Sequence, residues 1–202
     1  MPESDSINRL VYAFERFPGI GPRQARRFVY HLLAAPPADR ALLSELISTL
    51  AKNVRQCPEC LRFWSGAGER CNYCADRSRD DSLLMLVEKD QDITAIERAN
   101  AYRGRYFVLG GVLTLSGKGA VREQELAHVL KARLARGLKE VILALSATSE
   151  GEHTADHLRE LLAPYRSQLR ITMLGRGLST GSELEYVDAQ TISGAFLNRK
   201  DS

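Results

Sequence analysis

The chain has 202 residues, 44% of them apolar and 26% charged, with a formal net charge of +3. This suits one large or two small globular domains and excludes a whole-chain polycation, so any affinity for nucleic acid has to come from local clustering. Residues 1–30 hold no long apolar run and no stretch reaches membrane-span length, so a cytoplasmic protein with reduced thiols is expected.

Apolar residues at Ile7, Leu10, Val11 and Phe14 fall on one helical face over 6–17, with Ser6 as a candidate N-cap. Pro18 and Gly19 end that helix, Gly21 permits a positive φ, and Pro22 suits the first turn of the next helix. Free backbone N–H groups at such a turn accept a phosphate oxygen without reading bases. Arg16, Arg23, Arg26 and Arg27 surround it, and no acidic residue lies between Glu15 and Asp39. The Gly19-x-Gly21 turn with its arginines resembles the helix-hairpin-helix motif of sequence-nonspecific DNA-binding proteins. A plain helix–helix turn with a solvated basic face is the alternative.

Pro36-Pro37 interrupts the second helix and Asp39 can cap a third, which runs toward Arg55. Its Leu42, Leu43, Leu46, Ile47, Leu50 and Val54 define an inner side that is expected to pack on the first two helices. Residues 1–56 therefore read as a small helical unit.

All four cysteines follow, as Cys57-Pro-Glu-Cys60 and Cys71-Asn-Tyr-Cys74 with ten residues between the pairs. Two Cys-x-x-Cys pairs close on one tetrahedral Zn²⁺ through four thiolates, leaving no open position for substrate. Such a site is structural, and metal binding on the order of 10–16 kcal/mol would order the knuckle at 57–80. Two disulfides are the competing reading, which neither the chain's size nor its expected compartment favours. Phe63, Trp64 and Tyr73 read as the knuckle's core, with base stacking as the alternative.

Beyond Asp80 the pattern alternates. Strands are expected at 83–88, 106–109, 140–145 and 169–174, and helices at 90–100, 122–135 and 154–162. The fold class is α/β: a mostly parallel sheet over 81–176 with helices on both faces. Sites in such sheets lie beyond the carboxyl ends of the strands, where Glu88 and Glu150-Gly-Glu152 fall. A carboxylate after one strand and an acidic pair after another resembles the Toprim domain of topoisomerases and primases, in which carboxylates hold Mg²⁺. Solubilising surface glutamates are the bland alternative. No Ser, Tyr or Lys nucleophile partners these acids, and His153 and His157 lack the glutamate of the zinc-protease motif.

Gly110 to Gly119 fails the P-loop pattern, with Val112 and Gly119 at positions that need Gly and Ser or Thr, so ATP is not expected there. Residues 177–202 read as a turn-rich link and a last helix over 189–198, able to dock on its own domain or on a neighbouring subunit.

A basic hairpin, a four-cysteine knuckle and a Toprim-like sheet, in that order, resemble the RecR recombination-repair mediators over essentially the whole chain. The stretches that carry this are Phe17-Pro-Gly-Ile-Gly-Pro22, the two Cys-x-x-Cys pairs with Ala75-Asp-Arg-Ser-Arg-Asp80, Tyr102-Arg-Gly104, Val108-Leu-Gly-Gly111, Ser149-Glu-Gly-Glu152 and Leu184-Glu-Tyr186. The resemblance implies a non-catalytic, ring-shaped homotetramer that encircles DNA and acts with RecO and RecF to load RecA at gaps coated by single-strand-binding protein. It implies DNA contact through Arg23 and Arg27, with Arg16, Arg26, Gly19 and Gly21 beside them. It also implies partner contact through Glu150 and Glu152, with Glu88 nearby, and a nucleoid-associated protein. A Mg²⁺-dependent nuclease or primase-like enzyme is the runner-up, and a zinc-stapled scaffold without nucleic acid is a third reading. The chain departs from the family pattern at Ser146–Ser149, Phe107, Gly119-Ala120, Ser179 and Ser182, which bears on partner contacts more than on the fold.

Overall fold

The computed structural model describes residues 5–116, 119 and 121–199. Gly117 and Lys118, from the rejected P-loop comparison, and Ala120 lie outside the described residues. The chain forms two compact units, residues 1–54 and 55–202.

The first unit has three helices: α1 (Ser6–Glu15), α2 (Pro22–Ala34) and α3 (Pro37–Asn53). Asp5 rather than Ser6 caps α1, its carboxylate accepting from the Ile7 N–H at 3.1 Å. Val11, Ala25 and Val29 form the small core between α1 and α2, with Ile7, Phe14 and Ile20 packed against it. Phe14 meets Phe28 edge to face at 5.6 Å. Arg40 of α3 donates through Nη1 to the carbonyls of Leu32 and Ala35, satisfying acceptors at the end of α2.

The expected packing of α3 is not observed. Leu42, Leu43, Leu46, Ile47 and Leu50 remain 40–66% exposed, and α3 buries no residue. A cleft of about 430 Å³ lies along it, with Leu10, Phe14, Val29 and Leu33 on one wall and Leu43 and Ile47 on the other. Helical periodicity identifies an apolar face correctly, but it does not say what covers that face.

The second unit begins with a short antiparallel pair, β1 (Arg55–Gln56) and β2 (Phe63–Trp64), then α4 (Asn72–Ala75). A four-stranded parallel sheet follows, with β3 (Asp80–Val87), β4 (Gly104–Val108), β5 (Glu140–Ala144) and β6 (Arg170–Met173) in the order β4-β3-β5-β6. Its connecting helices are α5 (Asp90–Ala99), α6 (Glu123–Leu134) and α7 (Ser149–Leu161), and α8 (Ala189–Leu197) lies near the C-terminus. Right-handed crossovers require opposite faces for a connection running toward β4 and for those running toward β6. Residues Leu84 and Leu86 accordingly pack with Leu126, Leu130 and Leu158 of α6 and α7. Met85 and Val87, one step out of phase, pack with Ile93 of α5.

Candidate nucleic-acid interface and metal centre

The hairpin closes through bonds from Phe17 N–H to the Phe14 carbonyl, 3.0 Å, and from Ile20 N–H to the Phe17 carbonyl, 3.1 Å. The left-handed residue is Gly19, at φ +76; Gly21 is extended, at φ −88 and ψ 170, and serves as the N-cap of α2. The positive φ that Gly21 would permit is thus found two residues earlier, at Gly19. No side chain caps α2, so its N-terminus leaves backbone donors and a positive dipole end at the turn. Arg16, Arg23, Arg26 and Arg27 are exposed, and none has a carboxylate within 4.0 Å among the described residues. Arg23 and Arg27 stand one helical turn apart on the same face of α2. The arrangement gathers cationic side chains and free backbone donors without a balancing acid, which is what a phosphate backbone requires.

Cys57, Cys60, Cys71 and Cys74 are all buried, and their sulfurs lie within 4.8 Å of one another. The Cys60 and Cys71 sulfurs are 3.5 Å apart, too far for a disulfide at about 2.05 Å. Thiolates around a tetrahedral Zn²⁺ at about 2.3 Å would stand about 3.8 Å apart, so the spacing fits a metal. The thiols are unequal: hydrogen bonds from Cys60, Cys71 and Cys74 hold Cys57 far below the usual thiol range, while Cys60 is pushed up by Cys57, Cys71 and Cys74. A divalent cation would allow all four to ionise together. Among the described residues this is the one group of three or more His, Cys, Asp or Glu residues able to converge on an ion.

The knuckle is tied to the sheet. The Val108 N–H donates to the Cys60 carbonyl at 2.8 Å, so the knuckle covers the outer edge of β4. Arg105, 6% exposed, donates through Nη1 to the Tyr73 and Cys74 carbonyls at 2.8 and 3.2 Å, and through Nε to Asp81 at 2.7 Å. Arg122 Nη1 bridges the carbonyls of Leu61 and Val108 at 2.9 and 3.0 Å. Arg79 lies between the rings of Tyr73 and Tyr106, at 4.7 and 5.5 Å from their centroids, and its Nη2 meets Glu97 Oε2 at 2.5 Å. The Tyr106 hydroxyl donates to Glu97 Oε1, also at 2.5 Å. Burial alone would raise the Glu97 pKa, but the bonds from Arg79 and Tyr106 outweigh it and hold the carboxyl below its usual range. The same environment, burial first and then Glu97, pushes the Tyr106 phenol up. Sequence reasoning missed Arg79, Arg105 and Arg122 because their partners are distant in the chain. It also placed Phe63 in the knuckle's core, where the side chain is in fact 55% exposed.

The acidic residues follow β3 and β5 at the switch point of the sheet, where the connections leave on opposite faces. Glu88 is 6% exposed, and its Oε1 accepts from the Ser146 N–H at 2.5 Å across that crevice. Glu150 and Glu152 lie in the first turn of α7, capped by Thr148, whose hydroxyl accepts from the Gly151 N–H at 3.1 Å. Glu152 pairs with Arg176. A Cβ at Gly151 would lie 2.0 Å from the Ser146 carbonyl oxygen, so only glycine allows this approach. The three glutamates do not converge as a ligand set, and His157 is paired with Glu123 at 2.8 Å.

Family comparisons agree with this division. The Toprim-domain family matches residues 82–174, the RecR helix-hairpin-helix family residues 7–51, and the RecR C-terminal family residues 177–200. Relatives named recombination protein RecR include one from Nocardioides sp., 40% identical over 97% of this chain and 96% of its own length. Another from Frankia alni is 40% identical over 96% of both chains, and one from Geobacter sulfurreducens is 36% identical over 98% of both. Identity at this level, sustained across hairpin, knuckle and sheet, means that the chain belongs to the RecR family.

Proposed function

We propose that this RecR-family chain, with its role in DNA recombination and repair, is a non-catalytic mediator that grips DNA through the α1–α2 hairpin. The observation that carries the proposal is the set of four exposed hairpin arginines with no carboxylate partner, beside the uncapped start of α2. Arg23 and Arg27 contact phosphates, Arg16 and Arg26 extend the basic surface, and Gly19 and Gly21 keep the turn close to the backbone it meets. No base edge is read, so binding is sequence-nonspecific. The double variant Arg23→Ala with Arg27→Ala lowers duplex affinity and flattens the slope of log affinity against log salt by about 1.8, at about 0.9 per lost phosphate contact. An unchanged slope removes the hairpin from the interface.

One zinc per chain in the four-thiolate knuckle has a structural role, holding the knuckle against β4. The exposed apolar side of α3 supports assembly into a homo-oligomer, read as a ring-shaped tetramer, as do Leu184, Tyr186, Phe196 and Leu197 near the C-terminus. Glu150 and Glu152 offer an acidic helix start to RecO, while Glu88 shapes the loop that leads to it. With RecO and RecF, the assembly loads RecA at gaps in the nucleoid. The double variant Glu150→Gln with Glu152→Gln weakens binding to RecO and spares DNA; an unmoved RecO affinity rejects this docking face. A non-catalytic mediator leaves strands intact, so pure protein with Mg²⁺ and labelled DNA is expected to release no product.

A further inference from the structure

The two edges of the parallel sheet are treated differently. On the β4 side, the Val108 N–H is taken by Cys60 and all five β4 residues are buried. On the β6 side, no strand pairs beyond β6 among the described residues. The register determines which backbone groups are left over. Arg170 N–H donates to the Lys139 carbonyl at 2.8 Å and Leu174 N–H to the Leu143 carbonyl at 3.1 Å. With a period of two, Thr172 also faces β5, so Ile171 and Met173 turn their N–H and C=O groups outward. An edge of this kind is a template for one more strand.

Charge defines what could pair there. A cleft of about 500 Å³ along this edge is lined by Arg159, Arg166, Leu169, Ile171, Thr172 and Met173. Ile171 and Met173 lean toward the α6–α7 core, so Arg159 and Arg166 lie on that side of the edge. Arg170, one step out of phase, points to the opposite face. Among the described residues Arg166 and Arg170 have no carboxylate within 4.0 Å, whereas Arg159 pairs with the exposed Asp156 at 2.5 Å. Nearby Glu140 accepts from the Thr172 hydroxyl at 2.7 Å.

We propose that β6 binds an extended, acidic segment of a partner protein by strand addition, with Ile171 and Met173 supplying the backbone bonds and Arg159, Arg166 and Arg170 selecting for carboxylates. Two other occupants fit less well. Pairing of β6 with β6 of a second copy would bring like-charged arginines together across the new ladder, which is unfavourable. A nucleic-acid backbone offers only acceptors, whereas this edge presents N–H and C=O groups alternately, as a peptide strand requires.

The test uses the full chain and two labelled eight-residue peptides, one alternating Glu with Val and one alternating Lys with Val, followed by fluorescence anisotropy. The acidic peptide is expected to bind at least tenfold more tightly than the basic one. Met173→Pro removes an outward N–H and no bond to β5, so it should lower acidic-peptide affinity at least fivefold relative to Met173→Ala, which loses the same side-chain packing but keeps the N–H. Arg166→Glu with Arg170→Glu should reverse the preference between the peptides. The proposal is overturned by equal binding of the two peptides, by full affinity in Met173→Pro, by displacement of the peptide with duplex DNA, or by a protein mass that depends on Met173.

Discussion

The two compact units of this chain are built on opposite principles. The sheet unit is closed around its centre: both faces are packed, the β4 edge is covered by the knuckle, and buried arginines bridge knuckle and sheet through backbone carbonyls, which leaves the β6 edge as its open side. The helical unit stays open, with a core of three buried side chains, an apolar α3 face in solvent and four cations without anions. A closed unit gains its order from within, whereas an open one has surfaces that gain from a partner. Substitutions at the hairpin and the α3 face should therefore weaken association, and those at the knuckle and its arginine bridges should weaken the fold.

The sharpest way to break this contrast is at the metal. Cys71→Ser removes one of four candidate ligands; on the zinc reading the protein is expected to lose metal affinity, and Arg105 then faces a disordered knuckle. The apparent melting temperature of the sheet unit should fall by about 10 °C or more, at roughly 2–4 °C per kcal/mol for a chain of this size. Metal analysis and calorimetry check this, and an unchanged transition would mean that the sheet does not depend on the knuckle. Next in size is Glu97→Gln. With the carboxyl held below its unfolded value, the stabilisation is fully present above the ordinary carboxylate range and is lost as pH falls through the folded pKa. The variant should be less stable by about 2 kcal/mol at pH 7, the scale of hydrogen bonds to a charged group, and the gap should narrow on acidification. Denaturant titrations at pH 7 and pH 3 measure both ends. The smallest stability effect belongs to Leu46→Glu with Ile47→Glu. These side chains are already 57% and 66% exposed, so unfolding should move by less than about 0.5 kcal/mol while the assembled mass drops. A large loss of stability would show instead that α3 packs within its own unit.

What the sequence made legible follows the same division. Strands and helices of the sheet unit lie within a few residues of where alternation and periodicity put them, because those patterns record burial inside one chain. The cysteine spacing announced the metal centre for a similar reason: four soft ligands at fixed intervals have few other uses. The fate of α3 was not legible, since Leu42 to Leu50 look the same whether a helix of the same chain or another molecule covers them. The start of α7 was missed because Gly151 weakens any helical reading of Ser149–Glu152, while its necessity, the approach of the Ser146 carbonyl, is a tertiary fact. Nothing local marks Arg79 and Arg105 as buried anchors, since the fold alone brings Glu97 and the Tyr73 carbonyl to them.

The bond from Val108 to Cys60 has a consequence beyond geometry. While the knuckle keeps its shape, the outermost strand on that side is shielded from other chains; once the thiols are oxidised, the outward edge of Gly104–Val108 becomes available for uncontrolled stacking. Loss of the knuckle's order would then first appear as precipitation of this protein.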